Sequence, residues 1–472
     1  MKTNYLKWLL LIGIFFFYLL PPLDTDLGWH LFYGKHIFET GSIIRANPTS
    51  FYLPNYLWVH CFSLHQLIAF TLFKFFGFWG ITIFGSLIIT LSFFFLFKSY
   101  SKKSFWLIIS SLFLIFVSFP VTSLGYRGQF FSILGISFIY YLILKNRKFS
   151  LKQIILLAVV FCLWTNSHGG FPLGLALLAL YTLEKLWLKK KDEALNLILT
   201  TGVSILATLI NPFGWKVYPE IYRHIWYPLN KLIAEWTPPN KISVLAILLV
   251  SSLIVIGFII KKKPIRFLRK EKIFFLTLSW LLFTLFAFKA RRHLPFAGLA
   301  SIHLVLNLFP SLKVKRIITQ LIIILVSLVM IIWRLTHFPN LVHGWDSVCQ
   351  QSKWTLPCQA VEYLKDNPNT CQNIFNTYEW GGYLTWYLPE RKIFTDGRMP
   401  AWPTPEGKSP YTIYLEILQT REGFNDKLLQ YGADCIFIAK GTFLDLELKE
   451  KNDYPWKSIY EDKISTIYQK QN

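Results

Sequence analysis

WGITIFGSLIITLSFFFLF, residues 79–97, runs without a charged side chain until Lys98 closes it. At 1.5 Å per residue, a helix of that length covers the roughly 30 Å of a bilayer's hydrocarbon core. The run does not alternate apolar and polar residues with period two, so a lipid-embedded barrel is the poorer reading, and a helix satisfies its own backbone in lipid. Similar runs lie at 5–22, 104–120, 129–144, 152–167, 171–188, 194–210, 243–260, 273–288, 294–309 and 316–334. Together they predict about eleven crossings.

Composition agrees. Of 472 residues, 53% are hydrophobic and 18% aromatic, against 16% charged, which is not the balance of a soluble chain. The net charge of +23 sits in short clusters between apolar runs, so it reads as a topology signal and points to no nucleic-acid partner. Lys98, Lys102 and Lys103; Lys145, Arg147 and Lys148; Lys189 to Lys191; Lys261 through Lys272; and Lys313, Lys315 and Arg316 occupy alternate connections. The positive-inside tendency places all of them, with the N-terminus, in the cytoplasm. The first 22 residues resemble a signal peptide. They lack a small-x-small site and end on Pro21-Pro22, so they are expected to remain as an uncleaved first span.

The fold class expected is therefore an α-helical polytopic membrane protein, with residues 1–335 as the transmembrane domain and 23–78 as its first outer loop. Residues 61–76, with His60, His65 and Lys74 at or near their ends, read as an interfacial or re-entrant helix. From about 336 to 472 both charge signs appear and the apolar runs shorten. IFNTY, RKIFTD and ADCIFIA read as strands beside a helical stretch near 411–430, which predicts a small extracytoplasmic α/β domain. Cys349, Cys358, Cys371 and Cys435 fall there. A Cys349–Cys358 bridge is the first pairing to expect, against the alternative of free buried thiols.

Polar residues gather in the loops assigned to the outer side. Asp24-Thr25-Asp26 follows the first span directly, and two carboxylates at a span's mouth cost desolvation unless something uses them. Asp-x-Asp alone reads equally as a solvated turn or a helix cap. In the next stretch, Gly28 to Gly41, Trp29, Tyr33 and Ile37 recur at helical spacing, as expected of a helix lying among lipid headgroups. Arg127, Asn166, His168 and Glu235 lie in outer loops; Arg127 reads also as a snorkelling side chain, and His168 as a packed helix-end histidine or a substrate contact. Lys289, Arg291, Arg292 and His293 put cations at the outer end of a span, against the bias that orders the other clusters. A lipid phosphate would offset them, and so would an ion pair with Asp24, Asp26 or Glu235. No phosphate loop, His-Glu-x-x-His, Gly-x-Ser-x-Gly or Cys-x-x-Cys occurs, so ATP-driven transport, zinc proteolysis and serine hydrolysis lack their usual residues.

Several segments resemble a group of bacterial polytopic proteins related to GT-C class glycosyltransferases. They are Asp24-Thr25-Asp26-Leu27-Gly28-Trp29-His30-Leu31, Asn47-Pro48-Thr49-Ser50-Phe51, Trp164-x-Asn166-x-His168-Gly169-Gly170, Asn211-Pro212-x-Gly214-Trp215, Glu235-Trp236, Arg292-His293-x-Pro295, Asn376-x-Tyr378-x-Trp380-Gly381-Gly382 and Asp396-Gly397-Arg398. The group often pairs tryptophans after the acidic motif, where this chain has Gly28 before Trp29. The resemblance implies transfer of a sugar from a polyprenyl-phosphate donor to a saccharide or protein acceptor outside the plasma membrane. On it, Asp24 or Asp26 is the expected base, Lys289, Arg291, Arg292 and His293 bind the donor phosphate, and Glu235, His168 and Asn166 hold the acceptor or a divalent cation such as Mg or Mn. Two other classes remain to compare: a non-catalytic membrane assembly protein, and a flippase of lipid-linked saccharide. The second predicts buried polar residues at mid-depth in several spans, and the centres of 79–97 and 316–334 are almost purely apolar.

Overall fold

The computed structural model describes residues 4–100, 103–228, 233–261, 264–310, 314–336, 344–350, 356–451 and 453–471. Lys102, Lys262, Lys263 and Lys313, used above to orient the chain, lie outside the described residues. The chain divides into two compact units: Met1–Pro22, Trp79–Trp215 and Ile233–Leu341 form the first, and Leu23–Phe78, Lys216–Leu232 and Val342–Asn472 form the second.

Helices make up the described part of the first unit. In chain order the helices of residues 4–336 are α1 Asn4–Phe17, α2 Leu27–Thr40, α3 Ser63–Ser99, α4 Ser104–Thr122, α5 Gln129–Lys145, α6 Leu151–Thr165, α7 Phe171–Trp187, α8 Lys191–Thr208, α9 Val217–Trp226, α10 Lys241–Ile260, α11 Pro264–Leu268, α12 Ile273–Lys289, α13 Leu294–Leu308 and α14 Arg316–Thr336; of these, α2, α9 and the start of α3 belong to the second unit. Each apolar run named above is thus helical, although α1 stops at Phe17, ahead of Pro21-Pro22. By length and composition Ser63–Ser99, Ser104–Thr122, Ala234–Ile260 and Ile317–Thr336 suffice to cross a membrane. In α3 Gly77 breaks the helix (φ 60°, ψ −154°), a backbone conformation that favours glycine, and so parts the stretch 61–76 from the run 79–97.

Local chemistry sets the helix ends. Ser150 and Gln153 form a capping box on α6, and the Asn240 side chain accepts the Ser243 N–H at the start of α10. The fully buried Glu184 accepts the Lys272 and Phe275 N–H groups at 2.8 and 2.9 Å, so a carboxylate from α7 caps α12. Beside it the buried Lys185 ammonium meets Glu193 at 2.7 Å and Glu271 at 2.9 Å. These charges are architectural, being paired within one network.

The second unit is built on a five-stranded sheet of order β2-β1-β3-β5-β4: β1 Asn373–Asn376, β2 Lys392–Ile393, β3 Cys435–Ala439, β4 Trp456–Glu461 and β5 Ser465–Lys470. The first three pair in parallel and β3-β5-β4 antiparallel. The three stretches read as strands are β1, β2 and β3, and the helical stretch near 411–430 becomes Pro410–Leu418 and Phe424–Gln430. The closing hairpin β4–β5 is an element sequence reading missed; Asp462 supports its turn by accepting the Ile464 and Ser465 N–H groups. Cys349–Cys358 is bridged, as the spacing led us to expect, and Cys371–Cys435 ties the start of β1 to β3.

One expectation for α2 fails. Its Trp29 and Tyr33 do not face headgroups but are buried with Trp58, Met399 and Trp402 of the same unit. Each such aromatic contributes roughly 1.5–3 kcal/mol by leaving water, and this neighbourhood supplies the partners.

Candidate functional site

In the second unit the acidic motif forms a tight turn into α2. The Asp24 carboxylate accepts the Asp26 N–H at 3.1 Å, and Asp26 Oδ1 accepts the Trp29 indole N–H at 3.1 Å. Backbones press close here: a Cβ on Gly28 would stand 1.9 Å from the Gly382 carbonyl oxygen, and one on Gly397 2.0 Å from Asp26 Oδ1. Glycine is therefore required at position 28, a side chain at 397 would displace the Asp26 carboxylate, and Asp24-Thr25-Asp26, Gly381-Gly382 and Asp396-Gly397-Arg398 form a single packed arrangement.

Arg398 closes that arrangement. Its guanidinium takes the Asp396 carboxylate, donates to the Tyr33 hydroxyl at 2.5 Å and to Thr49 Oγ1 at 2.6 Å, and lies over Trp58 and Trp402. Both charged side chains are wholly buried. Asn376, likewise buried, spends its amide on the Thr377 and Thr395 carbonyls and accepts the Phe394 N–H. Trp380 and Tyr383 are core residues.

The cations that stood against the topology bias belong to the first unit. Arg291 to His293 form a short 3-10 turn between α12 and α13, tied by the Arg291 N–H to the Thr237 carbonyl at 2.9 Å. The Arg292 guanidinium lies 4.4 Å from the Trp236 ring centroid. Glu235, next to that ring, forms an ion pair with Arg127 and accepts a long contact of 3.5 Å from Gln129. The charges of Arg127, Arg292 and Arg291 all act on its carboxylate. Glu235 thus pairs directly with Arg127, while Arg292 and Arg291 act on it through space. Lys289 is exposed at the end of α12.

His293 differs from its neighbours. Its Nδ1 faces the Phe286 carbonyl at 3.2 Å, so Nδ1 carries the proton and donates. Burial, reinforced by Arg292, lowers its pKa to about 4, and the neutral ring brings no charge to a phosphate. His168 lies at the turn between α6 and α7, with Nδ1 2.6 Å from Ser132 Oγ. The Asn166 amide donates to the Cys162 and Ile210 carbonyls at 2.8 Å each, a clasp between the ends of α6 and α8. Among the described residues, no three His, Cys, Asp or Glu side chains gather so as to hold a metal ion, and Mg or Mn enters no step below. Sequence reading missed Arg127's pairing with Glu235 and the roles of Gln129 and Ser132, because nothing local marks partners so distant in the chain.

No protein-family model and no curated protein matches the sequence. Solved structures do match. ArnT from Cupriavidus metallidurans, bound to undecaprenyl phosphate, aligns over 99% of this chain and 98% of its own at TM-score 0.53 and 12% identity. The Archaeoglobus fulgidus oligosaccharyltransferase in its apo form aligns over 93% of this chain and 70% of its own at TM-score 0.55 and 10% identity. The oligosaccharyltransferase AglB from Archaeoglobus fulgidus, in complex with an inhibitory peptide and a dolichol-phosphate, aligns over the same shares at TM-score 0.53 and 9% identity. The chain has the GT-C fold. Neighbours of the GT-C fold are integral membrane proteins, and with the apolar helices this supports a membrane location for the chain. At these identities the likeness establishes the GT-C architecture and leaves the chemistry to the residues.

Proposed function

We propose that the chain is a membrane glycosyltransferase that moves a sugar from a polyprenyl-phosphate donor to an acceptor hydroxyl, saccharide or protein, on the outer face of the membrane. The observation that carries the reading is the arginine group at Glu235, paired directly with Arg127 and subject to the charges of Arg292 and Arg291, in a GT-C fold. Guanidinium groups suit bidentate contact with phosphate oxygens. The two disulfides of residues 349–435 support an oxidising, extracytoplasmic location for that part of the chain.

In the proposed reaction the acceptor oxygen attacks the anomeric carbon, forming the new glycosidic bond as the bond to the lipid phosphate breaks. The electron pair leaves on the phosphate oxygen, and the configuration inverts. Asp24 or Asp26 takes the acceptor's proton. Arg291 and Arg292, with Lys289, stabilise the charge growing on the departing phosphate. Glu235 holds Arg127 in place through their ion pair.

The test uses the full chain in lipid nanodiscs with a labelled polyprenyl-phosphate sugar and membrane extract as acceptor source. Asp24→Asn and Asp26→Asn are expected to lower transfer while donor binding persists, and Arg292→Ala to weaken donor binding. If all three variants transfer and bind as wild type does, the assigned roles are wrong. Donor binding without transfer by the wild type would favour the non-catalytic assembly reading.

A further inference from the structure

KVYPEIYRHIWYP, residues 216–228, holds one acid among Lys216, Arg223 and His224. Its helix α9 belongs to the second unit and is turned the opposite way from a core helix. The acid points inward. Glu220 and Val217 are buried, the Arg223 guanidinium donates to Glu220 Oε2 at 2.8 Å, and it donates also to the Tyr56 hydroxyl at 3.1 Å. The large apolar side chains point outward instead: Tyr222 is 62% exposed, Ile225 47% and Trp226 69%. With the exposed Pro219 they recur three and four residues apart, so they form one stripe along the helix, and the Tyr222 and Trp226 rings lie 5.8 Å apart.

Tyrosine, isoleucine and tryptophan in one stripe suit the boundary between lipid headgroups and acyl chains, where a ring buries its apolar body and keeps its polar edge wet. Chain length holds α9 near such a boundary. Residues 209–216 join it to α8, and 227–240 join it to α10, part of the stretch Ala234–Ile260 that is long and apolar enough to cross a membrane. At about 3.5 Å per residue, the first connection reaches no farther than roughly 30 Å. Charge points the same way. Lys216 is exposed, Arg223 keeps 40% of its side chain open, and the one carboxylate of 216–228 is the inward Glu220. Cations beside an apolar stripe match the phosphates of a headgroup layer.

We propose that α9 lies in the headgroup layer of the bilayer, with Tyr222 and Ile225 among the lipids, and anchors the second unit to the membrane surface. This rests on the membrane location of the chain and not on the glycosyltransferase reading. Through the Arg223–Tyr56 bond the anchor reaches the stretch 23–78, which also carries Asp24 and Asp26. Lipid takes up the outward stripe, and the Glu220–Arg223 pair holds the other side of the helix to its own unit.

The experiment places the full chain in phospholipid nanodiscs with a fluorescent coumarin amino acid in place of Tyr222, of Ile225 or, as an exposed control in the same unit, of Glu422. Phospholipid carrying a nitroxide high on its acyl chain quenches from the lipid side, and iodide quenches from the water side. At 222 and 225 the nitroxide is expected to remove about half of the fluorescence or more, and iodide to act about tenfold more weakly than at 422. Ile225→Glu, a change at an exposed position, is expected to cut nitroxide quenching of the probe at 222 about fivefold. Strong iodide quenching at both sites without a nitroxide response overturns the proposal, because the stripe then lies in water. Shielding from iodide without nitroxide quenching overturns it as well and assigns the stripe to protein, either a second copy or another part of this chain. Nitroxide quenching at 222 that Ile225→Glu leaves unchanged removes the stripe as the cause of the docking.

Discussion

Two arginine–carboxylate sites, one in each unit, have similar ingredients and opposite characters. Asp396 and Arg398 are wholly buried, matched one to one, and their remaining bonds go to Tyr33 and Thr49 inside an aromatic cage. Glu235 pairs with Arg127, lies within the charge influence of Arg292 and Arg291, and is partly open to solvent. A closed, balanced pair costs desolvation that it recovers only through good geometry, so it specifies structure. A cation-rich group at a partly open surface retains the capacity to attract an anion. The difference separates architecture from function where residue type alone does not.

The sharpest way to break the comparison is Arg398→Met. It strands the Asp396 carboxylate in the core and is expected to cost about 3–5 kcal/mol, read as loss of folded protein or a large drop in denaturant midpoint. A loss below about 1 kcal/mol, the range of an exposed pair, would erase the contrast between the sites.

The disulfides grade the same unit. Replacing Cys371 and Cys435 by serine opens a separation of 64 residues and is expected to cost about 4 kcal/mol; removing Cys349–Cys358, with a separation of 9, costs about 3. Denaturant titrations of the two double variants, side by side, measure the gap. Equal losses would mean that strain or residual structure, not loop closure, sets their contribution.

Arg292→Ala sharpens the contrast from the other side. Stability is expected to change by less than about 1 kcal/mol, while affinity for undecaprenyl phosphate falls about ten- to hundredfold. A variant that unfolds but still binds would make Arg292 the structural arginine.

The smallest effect is a pH slope. His60 is buried near Arg398, and burial first, then that guanidinium, depress its pKa to about 3. Its Nδ1 already accepts the Phe62 N–H at 3.2 Å. The unfolded ring takes up a proton near pH 6.5. The stability held by the neutral ring is therefore present above about pH 6.5 and lost as pH falls towards 3, with a limiting slope of about 1.4 kcal/mol per pH unit. Thermal unfolding of His60→Phe across that window is expected to show a flatter slope than wild type; parallel slopes would remove His60 from the account.

Much of the fold was legible because hydropathy is a local property. A run such as 79–97 or 316–334 declares itself a membrane-compatible helix from its own composition, and the alternation from short apolar strands to charged turns marks the sheet of the second unit. For the cysteines the sequence offered Cys349–Cys358 as a first pairing beside the alternative of free thiols, and the fold decided for the bridge. The face of α2 misled because Trp29 and Tyr33 suit a headgroup layer as well as a core, and only Trp58, Met399 and Trp402, supplied from elsewhere in the chain, decide between them. β4–β5 escaped notice because its strands present mixed polar faces.

What the amino-acid order alone settled is the class of the molecule: apolar helical segments of spanning length, with basic residues between them, whose free energy is lowest in or against lipid. Tertiary structure decided which charges are spent and which are not. Arg398 and Arg292 are indistinguishable as residues, and Asn166 and His168 sit two positions apart. Only the partners brought to them by folding, Tyr33, Thr49, Glu235, Ile210 and Ser132, show which arginine is sealed and what holds each loop residue. Electrostatics and hydrogen bonding act over a few ångströms of space, and separation along the chain says little about that distance.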